Sequence, residues 1–242
     1  MISLYKKEIN LFFSTSIGPL IICLYLLING LILWSDISEF NILNNGYSSL
    51  DNFFTLSPLL FLLFIPAISM RSFSEEYNTG TIEIIITKPI RNHHIIISKF
   101  LSILTLIILS ILPTLLYVIT IYYLGETKGN LDLAGIAGSY IGLLMISCVF
   151  TSISIFASSI SKHQIIAFIS AVIICAFFYF GFDIISNIKA LQTINIIIKK
   201  IGISYHYSIM SKGLLLISDL VYFISISFLF LKFADFIIQN KH

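Results

Sequence analysis

Six uninterrupted runs of about 20 apolar residues constrain this chain more than any other feature, because each can cross a hydrocarbon core of roughly 30 Å as a single helix. They cover residues 17–34, 53–70, 98–124, 133–159, 165–185 and 217–236. The runs are continuous and do not alternate polar with apolar residues, which excludes the strands of a membrane β-barrel. Of the 242 residues 57% are hydrophobic and 11% charged, against about a quarter charged in ordinary soluble domains. So little polar surface cannot cover a water-soluble core, and most of the apolar excess must face lipid. The sequence predicts one all-α membrane domain over 1–242 with six transmembrane helices.

Several function classes drop out on residue chemistry. A net charge of +2, with no basic run interleaved with aromatics, gives no footprint for nucleic acid. Cys23, Cys148 and Cys175 lie singly in apolar runs, without a C-x-x-C or a histidine at ligand spacing. His93 and His94 are adjacent but lack an H-E-x-x-H pattern, so no metal is predicted. Glu75 and Glu76 are neighbours too, yet successive helical residues point about 100° apart and do not converge on one substrate. No glycine is followed by lysine, so the chain has no phosphate-binding loop of the G-x-x-x-x-G-K-[ST] kind and is not expected to hydrolyse ATP itself. No catalytic, cofactor or metal residue is expected. The first run has no small-residue cleavage site and is read as a retained span.

Lysine and arginine near the span ends favour both termini on the cytoplasmic side. That placement puts Lys6, Lys7, Arg71, Lys88, Arg91, Lys99, Lys162, Lys232 and Lys241 inside, and Lys128, Lys189, Lys199, Lys200 and Lys212 outside. The outer loop at 186–216 dissents with four lysines. Its apolar positions Ile185, Ile188, Leu191, Ile194 and Ile198 fit an amphipathic helix on the outer surface, with the lysines left wet. Residues 1–16 show a similar pattern in Ile2, Tyr5, Ile9 and Phe12 opposite Lys6, Lys7 and Asn10. They read as a helix on the cytoplasmic leaflet, or simply as a basic flank that fixes orientation.

The segment at 71–97 is the one with functional content. Ser72 and Glu75 fit a capping box, Gly80 suits a helix C-terminus, and Pro89 ends what Thr81 begins. Ile82, Ile84, Ile85 and Ile86 give it an apolar surface that a plain connector does not need. That surface docks either on a partner or on the chain's own membrane helices. Asp183 and Asp219 lie in or beside apolar runs, where an ionisable group is a functional candidate by default. Both fall near the outer span ends, which favours a structural or interfacial role. Pro113 should kink the third span. The cluster Phe177, Phe178, Tyr179, Phe180 and Phe182 reads as an interface belt or packing surface.

Met70-Arg71, Phe73, Glu75-Glu76, Gly80-Thr81, Glu83 and Lys88-Pro89 resemble the pattern of ABC-2 type permeases. Asn29-Gly30, Phe40 to Asn44, Gly129 to Leu133, Gly138 to Leu144, Gln164 to Phe168 and Phe178 to Phe182 are similar to the gliding-motility-associated ABC transporter permease subunits of Bacteroidetes-type bacteria. So are His206, Ser208, Lys212-Gly213, Asp219-Leu220 and Tyr222-Phe223, while 184–204 matches less well. The resemblance implies an inner-membrane permease paired with a second permease chain or with itself, and surrounded by membrane lipids. It further implies a cytoplasmic ABC ATPase subunit as partner, in which ATP and Mg would be bound. Arg71, Phe73, Glu75, Glu76, Gly80, Thr81, Glu83, Lys88 and Pro89 would then be the ATPase-coupling interface. On the residues themselves a membrane scaffold for a motility or secretion machine stays open. An ion-coupled carrier would need paired charges at the membrane midplane, and none stands out.

Overall fold

The computed structural model describes residues 2–35, 40–42, 49–81, 91–125, 131–188 and 194–240. Helix α1 (Ile2–Ser14) precedes the first span, α2 (Ile17–Trp34). The second span, α3 (Asp51–Ser69), leads through Met70 into the short α4 (Arg71–Asn78). The third consists of α5 (Asn92–Ile111), a 3-10 turn at Leu112–Thr114, and α6 (Leu115–Leu124). The fourth is α7 (Leu133–Ile160). The fifth is α8 (Gln164–Ala176), a π-helical turn at Phe177–Gly181 and α9 (Phe182–Ser186). Two short helices, α10 (Asn195–Lys199) and α11 (Ile203–Met210), lead to the sixth span, α12 (Ile217–Asn240). Six helices are thus long and apolar enough to cross a membrane, and no strand occurs among the described residues.

The fourth span is the hub, packing against the second, third, fifth and sixth spans as well as α4 and α11. Its sequence explains this. Gly135, Gly138, Gly142, Ser139, Ser147, Ser152, Ala157 and Ser158 let neighbouring backbones approach closely, which matters because apolar helices in lipid gain little from the hydrophobic effect and associate by packing. Ser147, Ser152 and Ser159 return their hydroxyls to carbonyls three residues back, each at 2.7 Å, so these polar groups enter the core satisfied. Leu143, Ile146, Val149, Phe150 and Ile153 are fully buried along the same helix. By contrast α2, α8 and α12 each keep an exposed apolar face, with Leu27 and Leu31, Ile165 and Ile173, and Ile224 and Phe228 all more than half exposed. Those faces suit lipid or another membrane chain.

Pro113 breaks the third span locally. The hydroxyl of Thr114 donates to the Ile111 carbonyl at 2.6 Å, and Tyr140 of α7 donates to the Thr114 carbonyl at 3.0 Å, so backbone acceptors at the break are occupied. The aromatic run in the fifth span is partly a packing surface. Phe178 lies against Phe182 and Phe230, and Tyr179 against Phe150, while Phe177 and Phe180 remain exposed.

The segment between the fifth and sixth spans holds two short helices of different character. Residues 189–193 are outside the described set, and α10 is indeed exposed. Helix α11, however, turns inward. Ile203, Tyr207 and Met210 are buried against α7, and the Tyr207 hydroxyl reaches the Phe54 carbonyl of α3 at 2.7 Å. Burial pushes the Tyr207 phenol well above its ordinary range, which keeps it a hydrogen-bond donor. Gly213, at φ +79°, closes this helix in the left-handed region that side chains avoid.

Candidate functional site

At the end of the bundle where α1, α4 and the start of α5 meet, charged side chains are gathered inside the fold. Lys99, two turns into α5, is only 3% exposed. Its ammonium donates to the Ser72 carbonyl at 2.6 Å, to Glu76 Oε1 at 2.8 Å and to Glu8 Oε1 at 3.3 Å. It also lies 5.0 Å from the centre of the Phe73 ring, within cation–π range. Lys7 stands 3.5 Å from Glu8 and 3.8 Å from Glu76. All four pairings of the two lysines with the two glutamates therefore fall within ion-pair distance, and the cluster is a neutral closed ring joining three helices. An ammonium so removed from water must have its donors satisfied, and three acceptors and a ring face do that here. Tyr5 of α1 adds a hydroxyl contact to Thr105 of α5 at 3.0 Å.

The first turn of α4 is held from another direction. Ser158 Oγ, near the end of α7, accepts the backbone N–H groups of Phe73 at 3.0 Å and Ser74 at 3.2 Å and donates to the Met70 carbonyl at 3.0 Å. The capping box expected from Ser72 and Glu75 does not form, because Met70 enters the helix already in helical conformation and the free N–H groups are met by the fourth span. Helix α4 is thus tied to the third span through Lys99 and to the fourth through Ser158.

The expected coupling residues divide into two sets. Phe73, 1% exposed, and Glu76 point into the bundle. Arg71 is exposed and Glu75 half-buried, and neither has an ion-pair partner among the described residues. Thr79 and Thr81 share a hydroxyl contact of 2.9 Å on either side of Gly80, whose φ of +70° ends the helix in the left-handed region. Glu83, Lys88 and Pro89 lie outside the described residues, as do the isoleucines 82 and 84–86. Between α1 and α4 runs a groove of about 530 Å³, bordered by Lys7, Leu11, Phe12, Arg71, Glu75 and Thr81 among others.

Both candidate aspartates serve the opposite end of the bundle. Asp183 accepts from the Ser204 hydroxyl. Asp219, 2% exposed, meets His206 Nδ1 at 2.7 Å, while His206 Nε2 meets the Lys200 carbonyl at 2.8 Å and its ring stacks on Tyr222 with centroids 3.9 Å apart. Two carboxylates at this end of the bundle therefore fix α11 to the spans on either side of it.

Sequence reasoning missed Lys99, Glu8 and Ser158. Lys99 sits just inside the third apolar run, and the default functional reading of an intramembrane cation was the signal that applied to it. Glu8 interrupts the apolar face of α1 at a position one turn before Phe12, and both are buried. Its partner is 91 residues away. Ser158 carried no local signal.

No curated protein sequence matches this chain. The sequence profile of the ABC-2 family transporter proteins does match it, over residues 12–237, which takes in the first five spans, α4, α11 and all but the last three residues of the sixth span. The chain therefore belongs to the ABC-2 transporter family, as a membrane permease component whose ATP hydrolysis is carried by a separate subunit.

Proposed function

We propose that this permease works as an exporter linked to gliding motility, that α4 and the residues after Gly80 receive its ATPase, and that both termini face the cytoplasm. The observation that supports coupling at this place is the double tether of α4. Its inward side is bonded to the third and fourth spans through Lys99 and Ser158, while Arg71 and Glu75 on its other side carry charges with no ion-pair partner among the described residues. A displacement of α4 by an ATPase closing beneath it would be passed to two spans at once, which is what a switch between inward- and outward-facing packings requires. ATP and Mg would sit in the partner, and a second permease chain, identical or not, would complete the membrane part. The link to gliding motility rests on the residues matched along the chain, from Asn29-Gly30 to Tyr222-Phe223. It names a process and leaves the cargo open.

Co-purification of the ATPase in mild detergent, and its stimulation by the permease in lipid, test this reading. Arg71→Glu with Glu75→Lys should weaken association by more than tenfold, since charge-assisted contacts in a partly desolvated interface are worth about 1.5–3 kcal/mol each. Gly80→Val should leave insertion intact but reduce stimulation. Its Cβ would meet no described residue within 4 Å, so the expected effect comes from the strain of the left-handed backbone, on the order of 1–2 kcal/mol, which redirects the chain that follows. Unchanged association and stimulation in both variants would make this segment a connector and favour the scaffold reading.

Orientation has its own measurement. A cysteine at Lys162 should resist a membrane-impermeant thiol reagent in intact cells, and one at Asn45 should react. The reverse pattern would invert the topology.

A further inference from the structure

A carboxyl group with no hydrogen-bond or ion-pair partner among the described residues lies between the third and sixth spans, at the same end of the bundle as α4. Asp235, near the C-terminal end of α12, is only 9% exposed, and its Oδ1 is shielded from solvent and accepts no hydrogen bond from any described residue. It lines a cavity of about 240 Å³ with Ile96 and Ile97 of α5 and Phe228 of α12 as apolar walls. His93 and Lys232 line the same cavity, yet no side-chain nitrogen of either comes within 4.0 Å of the Asp235 carboxylate oxygens. The Lys232 ammonium lies 5.6 Å from the centre of the Phe228 ring instead.

We propose that this cavity binds the headgroup of an amine-bearing phospholipid, phosphatidylethanolamine, from the leaflet on the α4 side. A carboxyl group held among isoleucine and phenylalanine walls with no donor is costly, and a ligand that brings a hydrogen-bonding cation removes that cost. A primary ammonium offers three donors. Lys232 precedes Asp235 by three residues and so occupies the same helix face, where it and His93 meet the phosphate that follows the ammonium in such a headgroup. Both walls belong to membrane spans, and Phe228 is 61% exposed, so the acyl chains continue from the cavity into the bilayer. The volume is below the roughly 300–1,000 Å³ of ordinary small-molecule pockets and suits a headgroup. Charge complementarity selects the occupant. A choline headgroup has no N–H to give to Asp235, and a glycerol headgroup has no cation.

The full chain, purified and exchanged into mixed micelles with equal amounts of phosphatidylethanolamine, phosphatidylcholine and phosphatidylglycerol, would be examined by native mass spectrometry for retained lipid. The wild-type chain should retain phosphatidylethanolamine over phosphatidylcholine by about fivefold or more. Asp235→Asn, nearly the same in shape, should bring the two to the same level. Lys232→Gln should lower phosphatidylethanolamine and phosphatidylglycerol together. Equal retention of ethanolamine and choline lipids by the wild type overturns the proposal, and so does a preference that survives Asp235→Asn. Should that variant fail to fold, the wild-type preference and the Lys232→Gln comparison decide. A disulfide formed between two Phe228→Cys chains, without any lipid preference, would assign the cavity to a protein interface and overturn the proposal as well.

Discussion

Lys99→Met is expected to abolish stimulation of the partner ATPase while leaving the six spans inserted. The change leaves Glu8 and Glu76, with side chains 10% and 13% exposed, facing each other with only the half-exposed Lys7 between them. Removing one member of a buried ion pair typically costs about 3–5 kcal/mol, most of it from the charge left behind. That is enough to release α1 from α4 or to swing α4 off the third span. Lys99→Arg should recover little, because a planar guanidinium cannot reproduce three contacts that converge on one nitrogen. The informative comparison is the double replacement Lys99→Met with Glu76→Met, which removes one positive and one negative charge and leaves Lys7 paired with Glu8. If the closed ring is the cause, the double variant should be more heat-stable than Lys99→Met alone, and the coupling energy from the cycle should be on the order of 1–3 kcal/mol. Additive effects, or a Lys99→Met chain as stable and as stimulatory as the wild type, would show that the ring holds nothing together.

At the other end of the molecule, Gly138→Ala should dislodge the inward-turned helix α11. A Cβ at Gly138 would stand 2.1 Å from the Met210 carbonyl oxygen and 3.2 Å from the Gly213 Cα, both main-chain atoms that cannot rotate aside. Overpacking of this kind costs about 1–3 kcal/mol or more. The loss should lower the apparent unfolding temperature and expose the 186–216 loop to protease, since Tyr207 and His206 leave their partners when α11 moves. Gly30→Ala is the matched control. It too is a glycine within a span, but a Cβ there meets nothing within 4 Å, and in a helix interior alanine is favoured by about 0.5–1 kcal/mol. Equal behaviour of the two variants would mean that α7 and α11 are not in the close contact described above.

These two variants also mark where local reading of the sequence stopped. Gly138 was noticed only within a stretch resembling a family, and nothing local says that a glycine in a span is there because another backbone crosses it. The same holds for Ser158. A serine in a membrane helix usually bonds its own preceding turn, and only the arrival of α4 makes this one a cap. The capping box at Ser72 and Glu75 fitted the sequence rule but lost to that tertiary partner. Glu76 was expected to face a partner together with Glu75, and neighbours on a helix do point in different directions. Which of the two faces in was set by the position of Lys99, 23 residues on.

By itself the sequence determined the number of spans, their type and nearly their limits, because crossing a hydrocarbon layer demands about 20 consecutive apolar residues whose backbone bonds are all internal. The observed α2 covers residues 17–34 as expected, and the other spans differ from expectation mainly at their ends. It also pointed to a helix C-terminus at the left-handed Gly80, since the freedom of a residue without Cβ is a local property, and it offered an amphipathic helix as one of two readings for the segment that forms α1. Tertiary structure alone decided which ionisable groups are inside. The ring of Lys7, Glu8, Glu76 and Lys99, the His206–Asp219 pair, and Asp235, without a partner among the described residues, depend on residues brought together from distant parts of the chain or left apart by the packing. In a membrane protein that distinction is sharp. Solvation by lipid acts on each segment separately and can be read one helix at a time, whereas the cost of a buried charge depends on its neighbours in space, and those exist only once the helices have packed.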